Sequence, residues 1–218
     1  MNLIEKQFQE SKQFFKTHQT MKGKGCIVLI VIVALIAIVG FWAVGKRNGF
    51  VGMEQNVNAK WSNVETVYQK RANLIPNLER TVKSYAKFEQ ETLTKVVEAR
   101  SKASSVNIDP TNMTEADMAK FQAAQGELSG ALSRLMAVVE SYPNLKADQQ
   151  YINFQREYTA IENSIRSETV YYNDAAKEYN TNIKTFPNNV IANFSNFKEK
   201  PYFKAEAGAE KAPSVFSE

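Results

Sequence analysis

CIVLIVIVALIAIVGFWAV, residues 26–44, carries no charged residue, no Asn or Gln, and one glycine. At about 1.5 Å per residue, these 19 positions make a helix of about 28 Å, close to the hydrocarbon thickness of a bilayer. A soluble helix would keep polar residues on one side, and this run keeps them on none. Cys26 and Val44 bound the expected membrane span, and Trp42, with Phe41, suits the headgroup interface at its end. The run is longer than the apolar stretch of a signal peptide. Ala43 and Gly45 form a small pair of the kind a signal peptidase reads, yet the expectation is an anchor that stays.

The flanks differ. Residues 1–25 hold five Lys against two Glu, whereas the rest of the chain holds 22 basic and 21 acidic residues. The formal charge of +4 is therefore mostly a property of the tail, and a nearly neutral domain argues against a nucleic-acid partner. In the tail, Ile4, Phe8, Ser11 and Phe15 fall near one helical face among Lys6, Lys12 and Lys16, the pattern of a basic amphipathic helix on a lipid surface. A solvated, unstructured tail is the alternative. Lysines 16, 22 and 24 precede the span closely, and Lys46, Arg47 and Lys60 follow it. The positive-inside rule then favours an N-terminus in the cytoplasm and the domain outside. Gly45, Gly49 and Gly52 make a candidate joint, or a stretch that stays helical into the domain.

Beyond Met53 the apolar period is that of a helix: Met53, Val57, Trp61, Val64 and Tyr68, then Ile75, Leu78, Val82 and Tyr85, then Leu93 and either Val96 or Val97. Pro76 removes a backbone donor and predicts a kink or break near Leu74. Asn107 to Thr114 reads as a loop, and Thr114-Glu115-Ala116-Asp117 resembles a capping box that starts a helix. That helix carries Met118, Phe121, Gln125, Leu128, Leu132, Leu135, Val139 and Tyr142 on one stripe until Pro143. The last long stripe runs from Tyr151 and Phe154 through Tyr158, Ile161, Ile165, Glu168, Tyr172, Ala175, Tyr179 and Ile183 to Phe186, and Pro187 ends it. Long amphipathic helices joined by short turns predict an all-α fold: an N-terminal transmembrane helix followed by an antiparallel up-and-down bundle. The expected divisions are a basic tail at 1–25, the span at 26–45, the bundle at 46–187 and an irregular aromatic tail at 188–218. In the tail, Phe194, Phe197, Tyr202, Phe203 and Phe216 are too many rings for solvent, which predicts packing on the bundle or on a second subunit.

The stretches WSNVETVYQKRANLIPNLERTVKSYAKFEQETLTKVVEAR, GELSGALSRLMAVVESYPNLKADQQYINFQREY, YNTNIKTFPNNVIANF and PYFKAEAGAEKAPSVF closely resemble the bacterial LemA family, in the family's order and over nearly the whole chain beyond the span. The resemblance implies a single-pass protein of the bacterial inner membrane with a helical-bundle domain, associated with envelope integrity, stress and membrane organisation. One departure is the length of chain before the span, so orientation is read from this chain's own flanks.

Chemistry is sparse. The one His, His18, and the one Cys, Cys26, lie outside the bundle, which removes the usual bases and nucleophiles from it. A di-iron bundle needs Glu-x-x-His pairs, and the sequence has none. Of the acids on the last two long helices, Glu140, Glu157, Glu162 and Glu168, the last falls on an apolar stripe. It is a buried functional acid, a residue at the bundle edge, or a partner for a cation such as Arg134. No glycine-rich phosphate loop is present. Cofactors and metals are expected to be absent, and so is enzyme activity. Arg71, Asn73, Pro76 and Asn77 form the densest motif, read either as donors that satisfy a kinked corner or as an interaction site there. Gly126 and Gly130 suit close helix approach, within the bundle or at an oligomer seam, and Phe194, Phe197, Tyr202 and Phe203 are further candidate oligomer contacts. The expected function is a non-enzymatic, membrane-anchored scaffold that self-associates and organises the envelope membrane, with the lipid bilayer and further copies of the chain as partners. The alternative is an adaptor or sensor for a membrane protease, another envelope protein or a stress pathway.

Overall fold

The structure is a computed structural model that describes residues 3–85 and 89–204, with the side chains of Lys12 and of residues from Gly25 onward. Among the described residues there is no strand. The helices are α1 (Leu3–Lys83), α2 (Gln90–Ser105), α3 (Glu115–Val139), α4 (Pro143–Lys146), α5 (Gln149–Lys184) and α6 (Asn188–Phe194). The chain divides into two compact units, Met1–Gly49 and Phe50–Glu218.

In the first unit the apolar run is helical and its side chains face outward: Ile27 is 62%, Ile36 66% and Phe41 82% exposed. Among the described residues, one helix is long and apolar enough to cross a membrane. With no protein covering them, these side chains suit lipid as their solvent. The tail backbone is helical from Leu3, but the face made by Ile4, Phe8, Ser11 and Phe15 lies outside the described side chains. The second part of α1 continues helically through Gly52 and Pro76, so the expected break near Leu74 does not occur.

The second unit is an all-α bundle with two cores stacked along its length. One contains Phe50, Val57, Trp61 and Val64 of α1, Met118 and Phe121 of α3, and Tyr172, Tyr179 and Ile183 of α5. The other contains Ile75, Leu78 and Val82 of α1, Leu93 and Val96 of α2, Leu128 to Val139 of α3, and Tyr151 and Phe154 of α5. Chain direction therefore alternates: α1 and α3 run from the first core to the second, and α2 and α5 run back, the up-and-down order that short connections favour. Each of the α3 stripe residues from Met118 to Val139 is buried, Gln125 included. The α5 stripe holds as far as Ile183; Phe186 breaks from it and is 78% exposed.

Helix ends follow local chemistry. Thr114 Oγ1 accepts from the Asp117 backbone N–H at 3.2 Å, and the Asp117 carboxylate accepts from the Thr114 N–H at 3.0 Å, a closed capping box. The Thr114 hydroxyl, which donates to the same carboxylate at 2.7 Å, and then the Thr114 N–H hold the Asp117 carboxyl below its ordinary pKa. Asp148 caps α5 and also accepts from the Tyr85 hydroxyl at 2.9 Å, which ties the end of α1 to the start of α5. The Tyr85 hydrogen bond is the leading cause of the lowered Asp148 pKa.

After α6, the part expected to be irregular, the chain turns back and lies extended on the bundle. Asn180 of α5 donates from its amide to the Lys200 carbonyl at 2.8 Å and accepts from the Lys200 N–H at 2.9 Å. Asn173, seven residues earlier, does the same for Phe203, at 3.1 and 2.9 Å. Gln122 of α3 closes a third pair on Lys204, at 2.8 and 3.4 Å. The register has a simple origin: seven helical residues advance about 10.5 Å and three extended residues about 10 Å. Between the clamps, Tyr172 donates its hydroxyl to the Pro201 carbonyl at 2.9 Å. The Phe203 ring enters the first core, stacked 5.8 Å from Trp61 and edge-on 5.6 Å from Tyr172. Residues 205–218, with Phe216, lie outside the described residues.

Candidate functional site: a buried arginine layer

Between the two cores the apolar contacts give way to one polar layer, centred on Arg71. Its side chain is 2% exposed. The guanidinium donates to Gln125 Oε1 at 2.5 Å and the Gln125 carbonyl at 3.2 Å, to Ser129 Oγ at 2.7 Å, and to Glu162 Oε1 at 3.1 Å. It also lies 4.8 Å from the centre of the Tyr68 ring. One side chain of α1 thus holds groups of α3 and α5 at one level, with only Nε lacking a hydrogen-bond partner. Glu162 stays 33% exposed, so its charge keeps water. Tyr158 sits in the same layer, and its hydroxyl is pushed up to about 12, first by burial and then by the Glu162 carboxylate.

Other tyrosines share this pattern. Burial also raises the Tyr172 and Tyr179 hydroxyls, above the range of Tyr158. A folded pKa above the unfolded value of about 10 means that the neutral form supports the fold fully below pH 10, and that this support drains away as pH rises through about 12. In an alkaline titration, the share of tyrosinate absorbance that these buried hydroxyls supply is expected to rise together with the loss of helical circular dichroism, above pH 10, after the exposed Tyr171 and Tyr202 have ionised without unfolding. In Tyr158→Phe the loss of helicity moves to higher pH. All of the tyrosinate forming while helicity holds would contradict this reading.

The motif around Arg71 divides its labour differently from the sequence expectation. Pro76 has no N–H, so the Ala72 carbonyl four residues before it loses its helical donor. Arg100 of α2 fills the gap, its Nε donating to that carbonyl at 2.9 Å. Asn73 accepts from Gln69, and Asn77 accepts from Arg80; neither serves the orphaned carbonyl, and Arg71 is committed to the polar layer. Arg100→Met is expected to cost about 1 kcal/mol, and to cost close to nothing beside Pro76→Ala, where the new N–H serves Ala72. Urea unfolding of the four-member cycle checks this, and equal costs in both backgrounds would refute it.

The remaining candidates scatter. A Cβ placed on Gly126 or Gly130 meets nothing within 4 Å, so among the described residues no helix closes on them. Phe197 packs edge-on against Phe50 at 5.5 Å, and Phe203 lies in the core, so both serve the fold within one chain. Phe194 and Tyr202 stay exposed, at 94% and 40%. Trp42 is 41% and Val44 58% exposed, and Cys26 is a free, exposed thiol. Glu140 pairs with Lys146. Glu168 is half-buried with Oε2 unpartnered, and no ion pair among the described residues joins it to Arg134. Eleven residues separate Glu157 from Glu168 on α5, about 16 Å, too far for one acid–base site. No group of three His, Cys, Asp or Glu among the described residues is placed to hold a metal ion.

One cation was overlooked by sequence reasoning. Lys200 is 3% exposed and pairs with Glu54 at 2.9 Å, while donating to the Pro110 and Thr111 carbonyls at 2.9 Å each. No local pattern marks it, because its partners lie 89 to 146 positions earlier.

Comparison with known proteins adds the following. The family model described as "LemA family" matches residues 60–216. Magnetosome proteins MamQ 1 and MamQ 2 of Paramagnetospirillum magneticum are each 27% identical to the chain over 218 residues, covering 90% of it and 80% of theirs. Protein LemA of Metamycoplasma hominis is 27% identical over 164 residues, 75% of this chain and 71% of its own.

Proposed function

Because the chain belongs to the LemA family, we propose that it is a non-enzymatic, membrane-anchored helical scaffold, which self-associates and so organises the membrane of the bacterial envelope. The observation that carries this reading is the helix of residues 26–44, whose apolar side chains are exposed among the described residues. An anchor of that kind confines the bundle to a surface, where weak contacts between copies act at high effective concentration. The open stripe at Gly126 and Gly130 suits such a contact, since a second helix meets no Cβ there. Relatives named for a cellular structure, the magnetosome, rather than for a reaction support an organising role. In this reading the span crosses the inner membrane once, with the N-terminus in the cytoplasm.

The test is the mass of the full chain, extracted from membranes with its lipid in polymer-bounded discs. Light scattering is expected to give multiples of the 24.6 kDa subunit, falling to one subunit in Gly126→Leu/Gly130→Leu. A wild-type chain of subunit mass would remove the scaffold. Crosslinking in intact cells that returns a protease or another envelope protein, and no self-adduct, would favour the adaptor instead.

A further inference from the structure

The end of the bundle at Phe50 carries an apolar face that the chain leaves open. α6 buries one side and leaves an apolar side open. Its Asn188 and Ala192, four apart, are 9% and 1% exposed and face the bundle. Val190 and Phe194, also four apart, are 60% and 94% exposed. Phe186, in the turn before α6, is 78% exposed. A soluble surface has little reason to put two phenylalanines and a valine together in water.

This face lies at the Phe50 end. Ile183, Ala192 and Phe50 belong to one buried cluster, and Phe197, three residues past Phe194, touches Phe50 edge-on. Six residues of chain lead from Val44, the last of the apolar run, to Phe50. Whatever their conformation, they reach at most about 22 Å. The covalent chain therefore keeps this end of the bundle beside any bilayer that the span enters. The local charge is weakly basic: Lys198 is exposed, and the neighbouring Glu199 is paired with Lys184 at 2.7 Å.

We propose that Phe186, Val190 and Phe194 form a lipid-contact tip, seated in the headgroup region of the leaflet beside the span. Phenylalanine rings enter the upper acyl region, and a neighbouring lysine meets anionic headgroups. The proposal rests on the reading of residues 26–44 as membrane-inserted, and the experiment separates the two.

In full-length Cys26→Ser protein, single cysteines at Leu35, Tyr171 and Phe194 are labelled in turn with an environment-sensitive fluorophore. The protein is reconstituted into mixed vesicles of phosphatidylcholine and phosphatidylglycerol. Tyr171 is the control: it is an aromatic residue of α5, 52% exposed, and about 18 Å along the helix from Ile183. A nitroxide lipid is expected to quench the labels at 35 and 194 and spare 171, while aqueous iodide quenches only 171. A label at 194 that iodide reaches as it reaches 171 overturns the tip. A label at 194 shielded from both quenchers overturns it as well, because protein then covers the face. Loss of lipid quenching at position 35 would instead overturn the anchor.

Discussion

Replacing Arg71 with alanine is expected to lower the stability of the bundle by about 3 kcal/mol, whereas Glu162→Ala costs about 1 kcal/mol. The asymmetry comes from burial. Arg71 is the buried member, with two acceptors on Gln125, one on Ser129 and the Tyr68 ring besides the carboxylate. Without Glu162 it keeps those contacts. Without Arg71, a void opens between two cores and the Gln125 side chain loses its partner. Glu162 is 33% exposed, so its half of the ion pair is already screened by water. Urea unfolding of the two variants in detergent, read by circular dichroism, gives the order directly. Glu162→Ala costing as much as Arg71→Ala would mean that the charge pair, rather than the neutral acceptors and the ring, holds the layer together.

Trp61→Ala is expected to cost about 4 kcal/mol, near the top of the range for a buried aromatic. The indole is fully buried and meets three rings: Phe121 at 5.1 Å, Tyr172 at 5.6 Å and Phe203 at 5.8 Å. One of those rings belongs to the returning segment, so the damage is not confined to the core. Residues 196–204 should become cleavable by protease under conditions where α3 and α5 remain resistant, because the clamps at Asn173, Asn180 and Gln122 survive but their hydrophobic backing does not. Cleavage spread evenly over the domain would show instead that the segment and the core give way together.

The sequence carried the helices that have two clear ends and one apolar stripe. α3 opens on a capping box and stops before Pro143, and its stripe from Met118 to Val139 is buried as the spacing requires. The end of α1 was harder, since residues 84–89 contain neither Gly nor Pro. What holds the last described residue there is tertiary, the Tyr85 hydroxyl donating to Asp148 and the Asn144 carbonyl. At Pro76 the missing donor predicts a kink or a break; a guanidinium from α2 satisfies the freed carbonyl, and the helix does not break. Arg71 stood out in the motif, yet its partners lie 54 to 91 positions away, beyond any local rule. The returning segment was legible as aromatic but not as a register, because amide clamps on extended chain leave no periodic trace.

The returning segment also bears on how the protein is made. Every group that holds residues 200–204 lies earlier in the chain, from Glu54 to Asn180. A ribosome therefore delivers the anchor first and the four long helices next, while Trp61, Phe121 and Tyr172 wait with one side uncovered. Until Phe203 arrives, the nascent bundle has a greasy slot, open to chaperones or to the same segment of a neighbouring copy.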